Sequence, residues 1–229
     1  AFDDEEVRLL TELANDMAYG IMNLRQGIKY RNTSEKLQFA MEKTIFAIAT
    51  TVEMRDPYTA GHERRVGELA CAIARELGLS EDRIHGIRLA SIVHDMGKIN
   101  IPAEILSKPT RLTALEYKLI QTHAQSGYDI LKDVDFPWPI AQIVHQHHER
   151  MDGSGYPQGL KGEETILEAR IVAVADTVEA MASHRPYRAA LGPEIALEEI
   201  QKNRGRFYDP DVADACIRLF REKNFEFSS

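Results

Sequence analysis

Apolar and small residues at the start of the chain recur at steps that alternate between three and four. These positions are Val7, Leu10, Ala14, Met17, Ile21, Leu24 and Ile28. The spacing follows a heptad and lies on one stripe of a helix. It predicts one long helix and leaves two interpretations open: an amphipathic helix that lies on a domain, or a coiled coil that joins two copies in a homodimer.

A polar run at residues 31–36 interrupts this stripe. Polar residues clustered between periodic segments are typical of a joint. The expected organisation is therefore an N-terminal linker or signalling helix over 1–35 and a second domain over 36–229. A chain that starts on a helix without an evident partner surface also suggests a piece of a longer protein.

The second domain continues with helical periodicity, beginning with Met41, Ile45, Ile48 and Val52 on one face. Further helices are predicted over 66–77, 84–96, 114–131, 140–148, 168–183, 193–202 and 211–221, with Gly78 ending the first of these and Ser80 opening the next. A long loop occupies 150–164, and no stretch alternates as a strand does. The predicted fold class is all-α, a helical bundle preceded by the long N-terminal helix.

Composition narrows the class of protein. The 229 residues are 44% hydrophobic and 28% charged, which suits a globular protein and excludes a disordered or fibrous one. Lysine and arginine number 28 against 36 aspartates and glutamates, so the net charge is −8. This charge argues against a partner such as duplex DNA or RNA, or an anionic membrane surface.

The expected location is the cytoplasm. No run approaches the roughly 20 apolar residues of a membrane-spanning helix, and the acidic start lacks the features of a signal peptide. Cys71 and Cys216 lie in separate apolar stretches without a CxxC motif. Both are predicted to be buried, reduced thiols in a reducing compartment.

Histidines and aspartates carry the candidate chemistry. His94 and Asp95 follow the apolar run 89–93, where burying both would be costly unless a cation bound between them; a satisfied surface pair is the alternative. On the helix over 140–148, His147 continues the apolar stripe inward and His148 follows it at the helix end, whereas His145 points to the surface.

Asp176 lies in the strongly apolar helix over 168–183, where a carboxylate also needs a cation. Imidazole and carboxylate ligands suit Fe(II), Mn(II), Ni(II) or Zn(II), and the lack of paired cysteines argues against a structural zinc site. Five histidines and two aspartates in one place would be too many ligands for one ion. A carboxylate between two ions would hold a hydroxide nucleophile and so hydrolyse a phosphoester. Spacing alone leaves open that the seven are scattered.

Several long motifs in the same order resemble the HD-GYP domain of bacterial signalling proteins. They are RDPYTAGHERRV (55–66), HDMGK (94–98), THAQSGYDIL (122–131), HHERMDGSGYP (147–157) and ADTVEAMASHRPYR (175–188). HD-GYP domains are all-helical members of the HD phosphohydrolase superfamily that hydrolyse cyclic dinucleotides at a cluster of two or three metal ions. The resemblance covers the chain from about residue 36 to its end.

The resemblance implies a ligand set and a substrate grip. By position the metal ligands are His62, His94, Asp95, His123, His147, His148 and Asp176, with Asp95 as the bridge between ions. Lys98 is the expected catalytic contact to the scissile phosphate, beside the catalytic Asp95. Tyr156, Arg185 and Arg188 resemble the residues that bind the dinucleotide in this family. The tyrosine offers a ring and a hydroxyl, and the arginine guanidinium groups can pair with phosphate or stack on guanine.

Two positions depart from the family pattern. Tyr58 stands where versions with a third metal have a glutamate, so two ions are expected rather than three. Glu179 stands where the family more often has aspartate, which puts a hydrogen bond to a metal ligand in question. A short stretch of the first helix, residues 9–18, is similar to the closing helix of a GAF sensor domain.

The resemblance therefore implies a phosphodiesterase that hydrolyses cyclic di-GMP to pGpG and, after a second cut, GMP. Fe or Mn is the expected metal, and Ni, Zn and Mg remain alternatives. Two other functions stay open. The domain could bind a cyclic dinucleotide and pass on a signal with little turnover, or it could hydrolyse a different cyclic dinucleotide, such as a mixed guanine-adenine one.

Overall fold

The structure is a computed structural model that describes residues 3–55, 61–183 and 192–228. Its helices are α1 (Asp4–Glu53), α2 (His62–Glu76), α3 (Glu81–Val93), α4 (Ala103–Leu106), α5 (Ala114–Leu131), α6 (Ile140–Gln146), α7 (Leu167–Ala182), α8 (Pro193–Lys202) and α9 (Pro210–Glu222), with 3₁₀ turns at Met96–Asn100 and Gly162–Glu164. Within these ranges there is no strand, only two isolated β-bridges. The all-α prediction is confirmed.

Helix α1 does not end where the sequence suggested a joint. Residues 31–36 lie inside the helix, which runs without interruption to Glu53. The polar run interrupts the apolar stripe but contains neither glycine nor proline, so nothing in it breaks helical hydrogen bonding. Two compact units, 1–45 and 46–229, divide the chain about ten residues later than the predicted boundary.

Local signals set the ends of the core helices. Gly78, just after α2, adopts a left-handed conformation with φ of +75°, which a glycine tolerates at no steric cost. Ser80 then accepts a hydrogen bond from the Arg83 N–H and caps α3, as predicted. Thr113 and Glu116 form a capping box at the start of α5. The predicted helix boundaries hold to within a few residues because such signals are local.

Helix α7 is the centre of the 46–229 unit and packs against α2, α6, α8 and α9. Its apolar run, including Ile171, Val172 and Val174, is fully buried.

Cys71 and Cys216 are buried and form no disulfide, as the sequence predicted. None of the described helices combines the length and apolar character needed to cross a bilayer.

A close approach between the Met96–Asn100 turn and α5 brings the HDMGK segment to the rest of the core. A Cβ on Gly97 would lie 1.9 Å from the carbonyl oxygen of His123 and 2.5 Å from the backbone nitrogen of Gly127. Neither contact can be relieved by a side-chain movement, because both partners are backbone atoms. A residue without a side chain at position 97 is therefore required for this packing.

We predict that Gly97→Ala lowers the free energy of unfolding by about 3 kcal/mol, because its methyl group overpacks against α5. Urea denaturation of the metal-free protein measures this loss. The matched control is Gly67→Ala on α2, where the nearest atom to an added Cβ is the Ser91 Cβ at an ordinary 3.6 Å. The control should change stability by less than about 1 kcal/mol. Equal stability of the two variants would contradict this packing requirement.

Candidate metal centre

All seven residues that the sequence nominated as ligands meet at one place in the structure. They come from three helices and from the segments that follow two others: His62 from α2, His94 and Asp95 after α3, His123 from α5, His147 and His148 after α6, and Asp176 from α7. Their donor atoms form overlapping groups in which the members lie within 4.8 Å of one another. The residues are not scattered over the core and surface.

The first group comprises His62, His94 and Asp176. His62 Nε2 lies 3.2 Å from Asp176 Oδ1, and His94 Nε2 lies 3.9 Å from the same oxygen. The two histidines are buried and the aspartate is largely so. This group has two imidazole nitrogens and one carboxylate oxygen facing a common point.

The second group comprises His123, His147 and His148. The Nε2 atoms of His123 and His147 are 3.3 Å apart. The His148 ring lies 4.1 Å from that of His147 and 5.0 Å from that of His123, measured between centroids. The predicted inward direction of His147 is confirmed, since its side chain has no solvent exposure.

Asp95 lies between the two groups. Its Oδ2 is 3.5 Å from His94 Nε2 and 3.9 Å from His62 Nε2, on the side of the first group. Its Oδ1 is 3.4 Å from His123 Nε2, on the side of the second. A carboxylate whose two oxygens face different ligand groups has the arrangement needed to bridge two cations.

Backbone carbonyls fix the orientation of three of these rings. The Nδ1 of His94 donates to Ser91 at 2.7 Å, that of His123 to Ile120 at 2.7 Å, and that of His147 to Val144 at 2.6 Å. A carbonyl oxygen can only accept, so in each ring the proton is on Nδ1 and Nε2 presents its lone pair to the centre. Each partner is three residues earlier along the same helical turn.

The protonation states of Asp95 and of three of the histidines suit metal binding. Burial, reinforced by His94 and His123, lowers the pKa of His147 to about 3, and burial also lowers the pKa of His123 and His148. These rings are neutral at pH 7. Burial alone would raise the pKa of Asp95, but Lys98 and the histidines around it hold that pKa well below its usual range. The carboxylate is therefore ionised.

His62 differs from the other candidate ligands because both of its ring nitrogens face carboxylates. Burial opposes protonation, yet the hydrogen bonds to Asp176 and Glu179 raise its pKa to about 9. Glu179 is fully buried and also accepts from Arg65 Nε at 2.7 Å and from Ser183 Oγ at 2.6 Å. A glutamate in place of the aspartate more common in the family put a hydrogen bond to a candidate metal ligand in question. The longer side chain of Glu179 still makes such a bond, to His62.

A divalent metal fits these residues. His94 Nε2 is buried, points into the centre and has no hydrogen-bond partner among the residues that the structure describes. A polar atom left in this state costs free energy that a cation would recover. The nitrogen and oxygen donors are those that first-row divalent ions prefer.

A cavity of about 410 Å³ opens over the centre. Lys98 and Tyr156, both predicted from the motifs, line it, and Lys98 Nζ lies 2.6 Å from Asp95 Oδ2. Tyr117 and Met181 also line it and were missed by sequence reasoning. Tyr117 and His123 are six residues apart on α5, which places their side chains about 120° apart around the helix axis, so helical spacing alone gives no signal that Tyr117 lines the cavity.

Three sequence expectations concern positions outside the described residues: Tyr58, Arg185 and Arg188.

The expectation that His145 points to the surface is wrong. Its ring is buried, stacks on Tyr128 at 4.5 Å and lies 2.8 Å from the amide oxygen of Gln125. Helix α5 covers this side of α6, which no local pattern could reveal, although His145 does point away from the metal centre.

Residues 47–212 match the family described as HD domain. The cyclic di-GMP phosphodiesterase response regulator RpfG of Xanthomonas campestris pv. campestris (strain 8004) is 43% identical over 178 residues, which cover 77% of this chain and 47% of the relative. A cyclic di-GMP phosphodiesterase of Thermotoga maritima is 40% identical over 196 residues, covering 83% and 53%. The chain thus spans about half the length of these curated relatives.

A solved structure shares the fold. The crystal structure of cyclic GMP-AMP specific phosphodiesterases in V. cholerae (V-cGAP3) aligns with a TM-score of 0.61 at 20% identity, over 80% of this chain and 49% of that one. Fold and site together define a helical metal-binding domain of the HD type. The chain belongs to the HD domain family, and within it to the HD-GYP proteins that its motifs resemble.

We predict that Glu179→Gln weakens metal binding by about 10- to 100-fold, because an amide cannot accept from His62, Arg65 and Ser183 as the carboxylate does. Competition with a fluorescent chelator measures the affinity. Glu168→Gln on the same helix is the control, since Glu168 accepts from Arg83 and is not part of the centre. Wild-type affinity in the Glu179 variant would show that His62 needs no such support.

Proposed function

We propose that this chain hydrolyses cyclic di-GMP as a metal-dependent phosphodiesterase, giving linear pGpG and, after a second cut, GMP. One observation carries the proposal: two groups of metal-binding side chains, with Asp95 between them, lie beneath a cavity of about 410 Å³ that also holds Lys98 and Tyr156. The volume is in the range of small-molecule sites. The names of the two curated relatives support this substrate.

The centre is proposed to hold two divalent ions, Fe(II) or Mn(II) in the first place, with Ni(II), Zn(II) and Mg(II) as alternatives. His62, His94 and Asp176 would hold one ion, His123, His147 and His148 the other, and Asp95 both. When bound, such ions activate water and neutralise charge on a phosphodiester. Seven ligands exceed the needs of one ion, which supports the pair.

Charge in the cavity supports the same conclusion. Among its described lining residues, Asp95 and Asp176 are ionised, and Lys98 and His62, with its raised pKa of about 9, offset them. A cyclic dinucleotide brings two further negative charges. The side chains therefore leave no surplus of positive charge for the two phosphates, and divalent ions would supply it.

Lys98 and Tyr156 are proposed to act on the bound substrate. The Asp95 carboxylate holds the Lys98 ammonium at the edge of the metal centre, where it can stabilise charge that grows on the scissile phosphate. Burial raises the pKa of Tyr156, so its phenol stays neutral and can donate a hydrogen bond. Arg185 and Arg188 are proposed as further phosphate or base contacts.

A second candidate is hydrolysis of a mixed guanine-adenine cyclic dinucleotide. The solved structure with a TM-score of 0.61 carries the name cyclic GMP-AMP specific phosphodiesterase, which favours testing this substrate. The two substrates share the phosphodiester ring and differ at one base. Discrimination between them depends on contacts to base edges rather than on the metal centre.

We predict that the purified chain, loaded anaerobically with Fe(II) or Mn(II), converts cyclic di-GMP to pGpG or GMP, with the mixed dinucleotide tested in parallel by chromatography. Asp95→Ala should abolish both metal binding and hydrolysis. Lys98→Ala should keep the metal and lower kcat about 100- to 1,000-fold. The control is Lys132→Ala, because Lys132 pairs with Asp129 at the same i, i+3 spacing on the exposed end of α5.

Full activity in the Asp95→Ala variant would refute the proposed function. Nucleotide binding by the metal-loaded wild type without any product would replace it with a binding module that signals without turnover. Product from the mixed dinucleotide alone would assign the second candidate.

We propose that α1 links the domain to an upstream sensor in the cytoplasm and pairs two copies as a homodimer. Its apolar stripe supports the pairing, since Leu10, Met17, Ile21 and Leu24 are all about half exposed or more. A stripe of this kind on a helix of 50 residues is typical of a coiled-coil seam. The absence of a disulfide at the two buried cysteines supports a reducing compartment.

We predict that sedimentation velocity shows a dimer for the wild type and a monomer for Ile21→Asp, because a charge in the seam cannot be paired there. The control is Gln26→Asp, which lies on the opposite side of the heptad. Dimers of equal stability in all three proteins would place the contact elsewhere.

A further inference from the structure

We propose that Glu149 is a positioning residue whose buried carboxylate ties the Tyr156 loop, defined as residues 150–161, to the end of α6. In this way it sets Tyr156 against the metal ligand His148 and at the cavity. The inference rests on the proposed function for its effect on the substrate, whereas its geometry stands independently.

The Glu149 carboxylate collects three successive backbone donors. Its Oε1 accepts from the N–H of Gln158 at 2.7 Å and of Gly159 at 3.2 Å, and its Oε2 accepts from Leu160 at 3.0 Å. The residue is 3% exposed. A buried charge is tolerated when several N–H groups point at it, and hydrogen bonds to a charged acceptor are stronger than neutral ones.

Gly155 and Tyr156, in the middle of the loop, pack against the same short segment, residues 148–150. The Tyr156 N–H donates to the His148 carbonyl oxygen at 3.3 Å. A Cβ on Gly155 would lie 2.5 Å from that oxygen, from Glu149 Cα and from the Arg150 nitrogen, so only glycine allows this approach. The Tyr156 ring lies 4.7 Å from the His148 ring, at an interplanar angle of 32°. Glu149 and its neighbour His148 thus hold both sides of the loop.

The chemistry of the carboxylate explains why this position needs a charge. A glutamine at position 149 has one acceptor oxygen and an NH₂ group, so at least one backbone N–H of the loop would face another donor. The loop would then open more often, and Tyr156 would leave its place beside His148. Glu149 offers no atom to either ligand group, so metal binding should survive the change.

The test compares Glu149→Gln with the wild type in three measurements. Hydrogen exchange at the amides of Gln158, Gly159 and Leu160 should be faster by about tenfold or more, since their acceptor is weakened. Metal stoichiometry should be unchanged. KM should rise about tenfold while kcat stays within about threefold, which separates substrate positioning from loss of the centre.

The matched control is Glu164→Gln. Glu164 also accepts a backbone N–H of this region, from Lys161 at 2.7 Å, but it is exposed and belongs to the following 3₁₀ turn. It should leave KM and the exchange of residues 158–160 unchanged. A matching loss in both variants would show a general effect of removing carboxylates and would overturn the proposal.

A double-mutant cycle with Tyr156→Ala tests whether Glu149 acts through Tyr156. If it does, Glu149→Gln should raise KM little further once the tyrosine ring is absent. Additive effects on KM, or loss of metal in Glu149→Gln, would overturn the proposal, because Glu149 would then act elsewhere.

Exchange and metal content are measured without substrate, so they separate this inference from the proposed function. If the wild type hydrolyses no cyclic dinucleotide, the proposed function fails while exchange still reports on the loop. Should Glu149→Gln not fold, the wild type alone decides: rapid exchange at the amides of residues 158–160 would overturn the proposal.

Discussion

Two ionised carboxylates inside a helical bundle are the constraint on which the rest of the structure depends. Burial opposes ionisation of both groups, but His62 lowers the pKa of Asp176, and Lys98 with the surrounding histidines lowers that of Asp95. Such groups are costly without compensation. The three imidazoles that turn their Nε2 lone pairs to the centre add to the negative potential there and do not offset it. A centre that collects so much negative charge and so many lone pairs is built for cations.

The backbone does much of the positioning. Three candidate ligand histidines donate to carbonyls of their own helical turns, so the helices themselves select the ring nitrogen that faces the centre. Gly97 allows the turn with Asp95 and Lys98 to pack directly on α5, which carries His123. The positions of the candidate ligands therefore depend directly on helix packing, because a shift of about an ångström between these elements would separate the ligand groups.

The cavity side of the centre relies on a loop instead of a helix. Loops are usually the more mobile parts of a fold, yet Tyr156 must hold a defined place beside His148. Glu149 supplies internal hydrogen bonds to the loop from a residue that α6 already fixes. In the N-terminal unit, α1 exposes an apolar stripe to solvent.

The sequence by itself determined the helical class and most helix ends, because periodicity and capping residues are local properties. The motifs that resemble the HD-GYP family nominated the seven candidate ligands, which the structure brings together. The sequence misplaced His145 and the joint in α1, and it did not single out Gly97, Tyr117 or the role of Glu149. Each of these depends on what another segment does: α5 covers His145, and the carbonyl of His123 excludes a side chain at Gly97. The hydrogen bond between His62 and Glu179 joins residues 117 positions apart. Only the tertiary structure decides such contacts, because they arise from packing between elements rather than from the conformational preferences within one.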